Sequence, residues 1–220
     1  MLITDYLFEN VKPIWDAYLE HDFIMDMGNG NLCKDKFKDY LIQDYLYLKE
    51  YAKVYAMALV KCENIEQMKF CQNSINGILE DESATHIWYL KNFGEKIEEL
   101  EDYKIKEANE NYTSYMKSIA LTGDLLDTMV SVLPCAWSYY YIGKKLKETY
   151  KENLEDNFYK SWIESYSCEG YEQVARTSIE FVNTLSENID ENKKEKLKDI
   201  FIKASIHEMK FCDMAYEEVK

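Results

Sequence analysis

Apolar side chains recur along most of this chain at intervals of three and four residues, which is the spacing of one face of an α-helix. The clearest case is the segment over residues 34–62. Its apolar and aromatic positions at this spacing are Phe37, Leu41, Tyr45, Leu48, Ala52, Tyr55 and Leu59. No segment shows the sustained alternation of β-branched and polar residues that is typical of strands. The pattern therefore predicts an all-α protein.

The breaks between the periodic segments set the predicted elements. The predicted helices cover residues 4–20, 21–27, 34–62, 65–93, 109–121 and 124–150, a short element that closes at 162–165, then 168–185 and 191 to the C-terminus. Thr4, Asp124 and Asp190 have side-chain oxygens that suit an N-cap. Pro13 is expected to delay or kink the first helix, and Pro134 to break the helix over 124–150, because proline removes a backbone donor and clashes with the preceding turn.

The length and the connecting segments favour a single domain. Residues 96–107 form a polar link between two helical halves, but they are too few to indicate two domains. A domain of this size buries roughly 70% of the surface that its unfolded chain exposes, so it folds without disulfides or metals. We therefore expect one helical bundle over residues 1–220, with about eight to ten helices joined by short loops.

Composition narrows the classes of partner. Acidic residues outnumber basic ones by 41 to 26, which gives a net charge of -15. DNA and anionic membrane surfaces would be repelled by most of such a surface, so we expect neither as a partner. Tyrosine is unusually frequent, at 19 residues. Its apolar ring and polar hydroxyl suit walls that are part core and part binding site.

The cysteines and the N-terminus predict a cytoplasmic protein with free thiols. The six cysteines form no C-x-x-C pair and no metal-ligand spacing. The first residues lack a basic region followed by an apolar run, so no signal peptide is expected. No stretch approaches the roughly 20 apolar residues of a membrane span. A reducing cytosol is the simplest compartment for such a chain.

The run Leu133-Pro134-Cys135 is the most informative one for chemistry. Proline inside a helix distorts the backbone and can give the next residue unusual exposure, and that residue is Cys135. Tyr139 lies four residues on and shares its helical face. Buried free cysteines are common, however, and these residues alone favour a kinked core helix with an inert thiol.

A second run places a carboxylate among tyrosines. Asp44, Tyr47, Tyr51 and Tyr55 follow at helical spacing and form one stripe. Asp44 is suited to accept hydrogen bonds from an amino group on a flat ring. The alternative, an Asp at a solvated edge beside half-buried rings, is at least as well supported by this run alone.

The last predicted helix pairs a carboxylate with an aromatic ring. Glu208 and Phe211 are three residues apart and share a face. A carboxylate beside aromatic rings can have a raised pKa, which makes it a usable general acid at neutral pH. Tyr112 and Tyr166 are further candidates to stack on a heterocycle. Taken singly, Glu208 fits a surface position and each tyrosine fits the core.

Other cofactor sites are not encoded in their usual forms. The chain has no G-x-G-x-x-G run and no phosphate-binding G-x-x-x-x-G-K-[ST] run. A di-iron bundle would need two Glu-x-x-His pairs. The sequence has three histidines, and none of them is part of such a pair. His86 fits a hydrogen-bonded core or surface residue better than a metal ligand. We expect no cofactor and no metal.

Taken together, these runs resemble the TenA/thiaminase II family over nearly the whole chain. The resemblance rests on the runs His21-Asp22-Phe23, Gly28-Asn29-Gly30-Asn31-Leu32, Phe37 with Tyr40-Leu41-Ile42-Gln43-Asp44-Tyr45-Leu46, Tyr55-Ala56, Tyr112-Thr113, Leu133-Pro134-Cys135, Ile142-Gly143-Lys144, Trp162-Ile163, Tyr166-Ser167, and Glu208 with Phe211, Asp213, Met214 and Ala215. The Q-D-Y-L and L-P-C runs in this order are a specific signal.

The resemblance implies a haem-oxygenase-like helical fold without haem, assembled as a homotetramer. It also implies hydrolysis of thiamine, or conversion of 4-amino-5-aminomethyl-2-methylpyrimidine to the hydroxymethyl compound with release of ammonia. The implied roles are a nucleophile at Cys135 and an acid/base at Glu208. Asp44 would hold the pyrimidine's amino group and ring nitrogen, and Tyr47 would hydrogen-bond the Cys135 sulfur. Tyr112, Tyr139, Tyr166 and Phe211 would line the ring slot.

One position departs from the family pattern, and other functions stay open. Where family members carry an aromatic residue after Phe211, this chain has Cys212, so looser packing behind Glu208 is expected. A non-catalytic pyrimidine-binding or regulatory protein is the alternative from another class, although a binder needs no nucleophile. A metal-binding helical bundle is a third alternative, against which the missing Glu-x-x-His pairs argue.

Overall fold

The computed structural model describes residues 1–217, apart from the side chains of residues 81–83. The helices are α1 (Ile3–Leu19), α2 (Asp22–Asn29), α3 (Lys34–Leu59), α4 (Ile65–Asn76), α5 (Ser83–Asn92), α6 (Glu107–Thr122), α7 (Leu125–Thr149), α8 (Lys160–Ser167), α9 (Glu169–Leu185) and α10 (Glu191–Tyr216). No strand occurs within this description, and the all-α prediction is confirmed. The predicted continuation of the last helix over residues 218–220 lies outside the described residues.

The chain divides into two compact units. The first unit holds residues 1–32 and 129–213, and the second holds residues 33–128 with the C-terminal residues from 214 on. The boundaries fall inside α7 and inside α10. The single domain expected over residues 1–220 stays a prediction.

The first unit is built around large aromatic side chains. Trp15 is fully buried on α1, where its ring contacts Phe201 of α10 at 5.8 Å and its indole N–H donates to Ser205 Oγ at 3.1 Å. The Phe8 ring stacks on Trp137 of α7, with 5.4 Å between the ring centroids. Burying side chains of this size contributes much of the stabilisation of such a core, and indole pairing avoids an unsatisfied donor.

The second unit is organised by α3, which packs against α4, α5 and α6. Buried side chains lie around most of the circumference of α3. This distribution is typical of a helix at the centre of a bundle. Phe37 of α3, for example, meets Tyr89 of α5 edge to face at 5.1 Å. The predicted periodic positions of α3 are buried apart from Tyr45 and Leu59, which are half-buried.

Residues 65–92 are helical without a gap, as predicted, but they do not form one regular α-helix. α4 ends at Asn76, a π-helical segment runs over Gly77–Glu82, and α5 follows from Ser83. A π turn adds one residue to the turn without losing backbone hydrogen bonds, so the apolar pattern continues and shows no break. Gly94 does end this region, with φ of +84°. The polar link contains a 3₁₀ segment over Ile97–Asp102.

The predicted caps are partly confirmed. The Asp127 N–H donates to Asp124 Oδ1 at 2.9 Å and the Lys193 N–H donates to Asp190 Oδ1 at 2.8 Å, so both aspartates cap their helices. Thr4 as a cap is wrong, because α1 begins at Ile3 and the Thr4 hydroxyl donates instead to Asn183 Oδ1 at 3.0 Å.

The two prolines do not interrupt their helices. Pro13 lies inside α1, which starts early rather than late, and α7 continues through Pro134 to Thr149. A proline costs one backbone hydrogen bond, and the packing of the helix against the core offsets the loss. The break predicted at Pro134 is therefore wrong.

Two properties of the described residues bear on partners. No helix there combines the length and apolarity that crossing a membrane requires. The same residues contain no group of three or more His, Cys, Asp or Glu side chains arranged to hold a metal ion.

Candidate active site

The eight candidate residues fall into two sets, one in each unit. The first unit holds Cys135, Tyr139, Tyr166, Glu208 and Phe211, and the second holds Asp44, Tyr47 and Tyr112. All eight side chains are buried. Each set is built by its own helices and has its own chemistry.

In the second unit, Asp44 is a buried carboxylate with two donors. Its side chain sits near the middle of α3 and is 4% exposed. His86 of α5 places Nε2 at 3.1 Å from Asp44 Oδ2, and the Tyr40 hydroxyl, one turn earlier on α3, donates to the same oxygen at 3.3 Å. The solvated-edge alternative for Asp44 is therefore wrong, because the carboxylate is held inside the bundle.

Burial also sets the charge of the histidine. Desolvation lowers the pKa of His86 to about 4, so the ring is neutral at pH 7. A neutral imidazole that faces a carboxylate carries its proton on the facing nitrogen, and Nε2 therefore donates to Asp44. A neutral donor adds no positive charge beside Asp44.

Tyr47 and Tyr112 form a stacked pair in the second unit. Their ring centroids lie 5.3 Å apart with an interplanar angle of 29°. The Tyr51 ring also stacks on Tyr47, with 5.4 Å between the ring centroids. The Tyr51 hydroxyl lies 3.5 Å from the Tyr55 hydroxyl. The Tyr47 hydroxyl donates to the thioether of Met116 at 3.9 Å. The tyrosine stripe predicted from the sequence is therefore buried and runs along one face of α3.

A side-chain amide locks α6 to α3 beside Asp44. Gln43 Nε2 donates to the Lys104 carbonyl at 3.0 Å, and its Oε1 accepts from the Lys106 N–H at 2.9 Å. Asn109 of α6 donates to the Gln43 carbonyl at 2.7 Å. These bonds fix the start of α6, and with it the position of Tyr112 one turn further on.

In the first unit, Cys135 lies in the middle of α7. The thiol side chain is 4% exposed and Tyr139, one turn later, is 9% exposed. Pro134 has no N–H, so the α7 backbone makes one hydrogen bond fewer directly before the thiol. Both Cys135 alternatives, reactive thiol and inert core thiol, are compatible with this burial.

The rings of Tyr139 and Tyr166 meet in the first unit. Their centroids lie 4.9 Å apart, and Trp162 of α8 contacts Tyr166 at 4.6 Å. α8 reaches this position because Gly143 of α7 has no side chain. A Cβ there would lie 2.9 Å from the Tyr166 backbone carbon, closer than packed atoms approach. The glycine thus permits the close contact of α7 and α8 that sets the Tyr166 ring.

Glu208 and Phe211 are buried on α10, at 5% and 2% exposure. Tyr18 lies near Glu208, and its hydroxyl donates to the Ser205 carbonyl. Burial, and then the Glu208 carboxylate, raises the pKa of Tyr18 well above its ordinary value. The pKa of Cys212 is raised in the same way, first by burial and then by Glu208. Both neighbours stay neutral at pH 7, and the surface alternative for Glu208 is wrong.

Sequence reasoning missed three residues that shape these sets. His86 was read as a core or surface histidine without a link to Asp44, which is 42 positions earlier in the chain. Tyr40 belongs to a run that carries the family resemblance but has no role assigned there, and Tyr18 is not a candidate from the sequence. Tyr40 was accessible, because it lies four residues before Asp44 on the same helical face. The other two contacts join distant segments, and no spacing rule connects them.

The comparisons with known proteins identify the family of this chain. The model of the TENA/THI-4/PQQC family matches residues 8–218, and the chain belongs to this family. The predicted resemblance is thereby confirmed.

Two relatives match the chain over nearly its full length. A protein of Helicobacter pylori named aminopyrimidine aminohydrolase is 36% identical over 99% of this chain and 100% of its own length. A protein of Halalkalibacterium halodurans with the same name is 37% identical over 96% of this chain and 94% of its own.

Solved structures agree on the fold. A TenA homologue from P. horikoshii OT3 superposes with a TM-score of 0.86, at 25% identity and with 98% of this chain and 99% of that chain covered. A domain from Shewanella denitrificans, described as having a haem-oxygenase-like fold, superposes with a TM-score of 0.77 at 15% identity, covering 97% and 91%. The haem-oxygenase-like fold expected from the sequence is confirmed.

Proposed function

We propose that this protein hydrolyses 4-amino-5-aminomethyl-2-methylpyrimidine to the hydroxymethylpyrimidine and ammonia, a thiamine-salvage reaction. The observation that carries the proposal is the pair of relatives named aminopyrimidine aminohydrolase, which align with this chain almost end to end. The chain is accordingly an enzyme of the hydrolase class. The chemical groups that the reaction needs are present and buried: Cys135 and Glu208 in the first unit, and Asp44 in the second.

Each of the three polar side chains has one role in the proposal. Cys135 is the nucleophile, Glu208 is the acid/base, and Asp44 binds the amino group and a ring nitrogen of the pyrimidine. The burial of both carboxylates supports these roles, because an ionisable group among apolar neighbours responds strongly to a ligand's charge and hydrogen bonds.

The proposed reaction proceeds by addition and elimination on the ring. The Cys135 thiolate adds to a ring carbon while Glu208 protonates a ring nitrogen, which interrupts aromaticity. The electron pair that is released expels the protonated 5-aminomethyl nitrogen as ammonia and leaves an exocyclic methylene. Water then adds to this methylene carbon and gives up one proton to the released ammonia. The ring nitrogen returns its proton, the carbon–sulfur bond breaks, and the aromatic ring is restored.

Aromatic side chains serve orientation in this mechanism. Tyr112, Tyr139, Tyr166 and Phe211 line the ring slot and keep bulk water away from the reacting carbon. We assign Tyr47 the role of donating a hydrogen bond to the Cys135 sulfur during the reaction, in place of the Met116 thioether that its hydroxyl contacts in the structure. Such a donor favours the thiolate, since burial of a thiol without one raises its pKa. The existing ring contacts, Tyr47 with Tyr112 and Tyr139 with Tyr166, support a preformed stacking surface in each unit.

The deciding experiment measures ammonia release from the aminomethylpyrimidine by the wild type and by Cys135→Ser. We expect the variant to lose turnover by about 10³-fold or more, because hydroxyl is a far weaker nucleophile, while the pyrimidine still binds. Cys71→Ser is the matched control, since Cys71 is also a fully buried thiol. An active Cys135→Ser enzyme would rule the mechanism out.

Thiamine is the second substrate to test. Its hydrolysis into pyrimidine and thiazole would use the same three groups on the same ring. Steady-state rates on thiamine and on the aminomethylpyrimidine, measured in parallel, decide the preference. A wild type that binds the pyrimidine but releases neither ammonia nor thiazole would favour the non-catalytic binding or regulatory alternative.

The homotetramer and the cytoplasmic location stay predictions. The assembly is implied by the resemblance, and light scattering on the purified protein measures it directly. A mass of four chains of 26.2 kDa is the expected result, and a monomer at micromolar concentration would contradict it.

A further inference from the structure

The second unit contains a buried carboxylate and imidazole that the proposed mechanism uses only in part. Asp44 of α3 and His86 of α5 are 4% and 1% exposed, and their nearest polar atoms lie 3.1 Å apart. The mechanism assigns a role to Asp44 and none to His86. The geometry of the pair indicates what the histidine does.

His86 acts on Asp44 as a donor and does not cancel its charge. The imidazole is neutral at pH 7 because burial lowers the pKa of His86 to about 4. Its Nε2–H therefore donates to the carboxylate, and a neutral donor of this kind favours the ionised form of an acid without adding a positive charge. A lysine or arginine at this position would instead place a positive charge beside Asp44. That charge would weaken the attraction between the carboxylate and the amino group of a ligand.

Two donors from different helices converge on one oxygen. The His86 ring comes from α5 and the Tyr40 hydroxyl comes from α3, and both reach Asp44 Oδ2. Two bonds to one oxygen restrict rotation about the side-chain torsions of Asp44. The carboxylate is thereby held in one orientation before any ligand binds, which lowers the entropic cost of binding.

Stability alone does not account for such a pair. Burying a carboxylate costs several kcal/mol of desolvation, and replacing buried polar pairs by apolar residues of similar volume is often neutral or stabilising. The surroundings on α3 and α5 are rich in large apolar rings, which an apolar pair would suit. A buried and oriented anion in this place is suited to a ligand that supplies a further donor.

We infer that His86 is a positioning residue for an aminopyrimidine: it holds Asp44 ionised and oriented so that the carboxylate accepts a hydrogen bond from the ring's 4-amino group. The inference rests on the proposed function and adds to it the residue that sets the preference for an amino-substituted ring. Its direct consequence is selectivity, since the histidine acts only through Asp44.

The test compares binding of two compounds by calorimetry: 4-amino-5-hydroxymethyl-2-methylpyrimidine and the same molecule without its 4-amino group. The wild type is expected to bind the amino compound more tightly. His86→Leu removes the donor and should shrink this preference by about 10-fold or more, the value of a hydrogen bond to a charged group. Binding of the compound without the amino group should change little.

Two further variants separate positioning from packing. His86→Gln keeps a nitrogen donor and should retain most of the preference, whereas His86→Phe keeps a ring without a donor and should behave like His86→Leu. The phenylalanine variant preserves the test if the leucine variant does not fold. Lys91→Leu is the control on the same helix, since Lys91 is exposed, and should leave the preference unchanged.

The outcomes distinguish the inference from the proposed function. A non-donating variant that keeps the full preference overturns the inference alone, and so does one that loses both compounds equally, as a purely structural role predicts. A wild type that binds neither compound, or shows no preference between them, overturns the proposed role of Asp44 and the inference with it. Loss of preference in His86→Phe with its retention in His86→Gln supports the inference.

Discussion

The two units bury different kinds of polar group. In the second unit, Asp44 is a carboxylate already held by His86 and Tyr40. In the first unit, Glu208 lies near the Tyr18 phenol and the Cys212 thiol, and both of these are kept neutral by burial. A carboxylate fixed by donors is suited to hold a ligand, and a carboxylate among neutral groups is suited to exchange a proton.

This difference suggests a division between chemistry and recognition. Substitutions of candidate residues in the first unit should lower the rate at which bound substrate reacts. Substitutions of candidate residues in the second unit should weaken substrate binding. The predictions below test that division, starting with the largest effect.

Glu208→Gln should have the largest effect, and it tests the chemical role given to the first unit. The amide cannot transfer a proton, so kcat for ammonia release should fall by about 10²- to 10⁴-fold, the usual contribution of a general acid/base. Binding of the hydroxymethylpyrimidine, measured by calorimetry, should stay within a few-fold of wild type. Glu180→Gln is the control, because Glu180 is exposed in the first unit. An undiminished kcat in Glu208→Gln would remove the acid/base from the mechanism.

Acid should destabilise the protein through His86. The folded pKa of about 4 lies below the ordinary 6.5, so the unfolded chain binds a proton first as pH falls. Stability from this group is complete above about pH 6.5 and is lost on the way down to about pH 4, by about 3 kcal/mol in total.

Urea unfolding at pH 7.5 and 4.5 measures this loss. His86→Gln should lack that part of the pH dependence. His207 also has a pKa lowered to about 4, mainly by desolvation, and it contributes equally to both proteins. Identical losses in the wild type and the variant would contradict the assignment.

Asp44→Asn should weaken binding more than it slows chemistry. Replacing the carboxylate removes a charged acceptor worth about 2 kcal/mol, so Kd for the aminopyrimidine should rise by about 30-fold. Asp39→Asn on the same helix is the control, since the Asp39 carboxylate pairs with Lys106 at 2.6 Å. If kcat fell while Kd stayed constant, the division between the two units would be wrong.

Two glycine substitutions should have small effects of opposite sign. Gly143→Ala puts a Cβ at 2.9 Å from the Tyr166 backbone, so unfolding free energy should fall by about 1–3 kcal/mol and Tyr166 should shift. At Gly77 an added Cβ meets nothing within 4 Å and the backbone is helical. Gly77→Ala should therefore raise stability by about 0.5 kcal/mol. Thermal unfolding of both variants compares them directly, and equal signs would be contrary to expectation.

The sequence predicts those parts of the fold that depend on neighbours along the chain. Periodicity places the helices to within a few residues, and the carboxylates Asp124 and Asp190 identify two helix starts correctly. Thr4 misleads because its hydroxyl is used by Asn183, a residue 179 positions away. The residue type determines which hydrogen bonds a side chain can make, and the tertiary structure determines with which partner it makes them.

The candidate residues illustrate the same limit. Asp44 and Glu208 can be named from their runs, but each run alone also fits a surface position. Their burial depends on helices from other parts of the chain, and the Asp44–His86 contact joins α3 to α5 across 42 residues. The resemblance to a family supplies roles that no spacing rule in one sequence supplies.

The π-helical segment over Gly77–Glu82 makes one position in the chain tolerant of a change in length. A wide turn holds one residue more than an α-helical turn, so deleting one residue there would restore an ordinary turn and leave α5 in the same orientation relative to α4. His86 would stay on the face that meets Asp44. Deleting one residue inside α5 before His86 would instead rotate the histidine by about 100° and break the contact. A one-residue alignment gap within Gly77–Glu82 is therefore compatible with an unchanged Asp44–His86 pair.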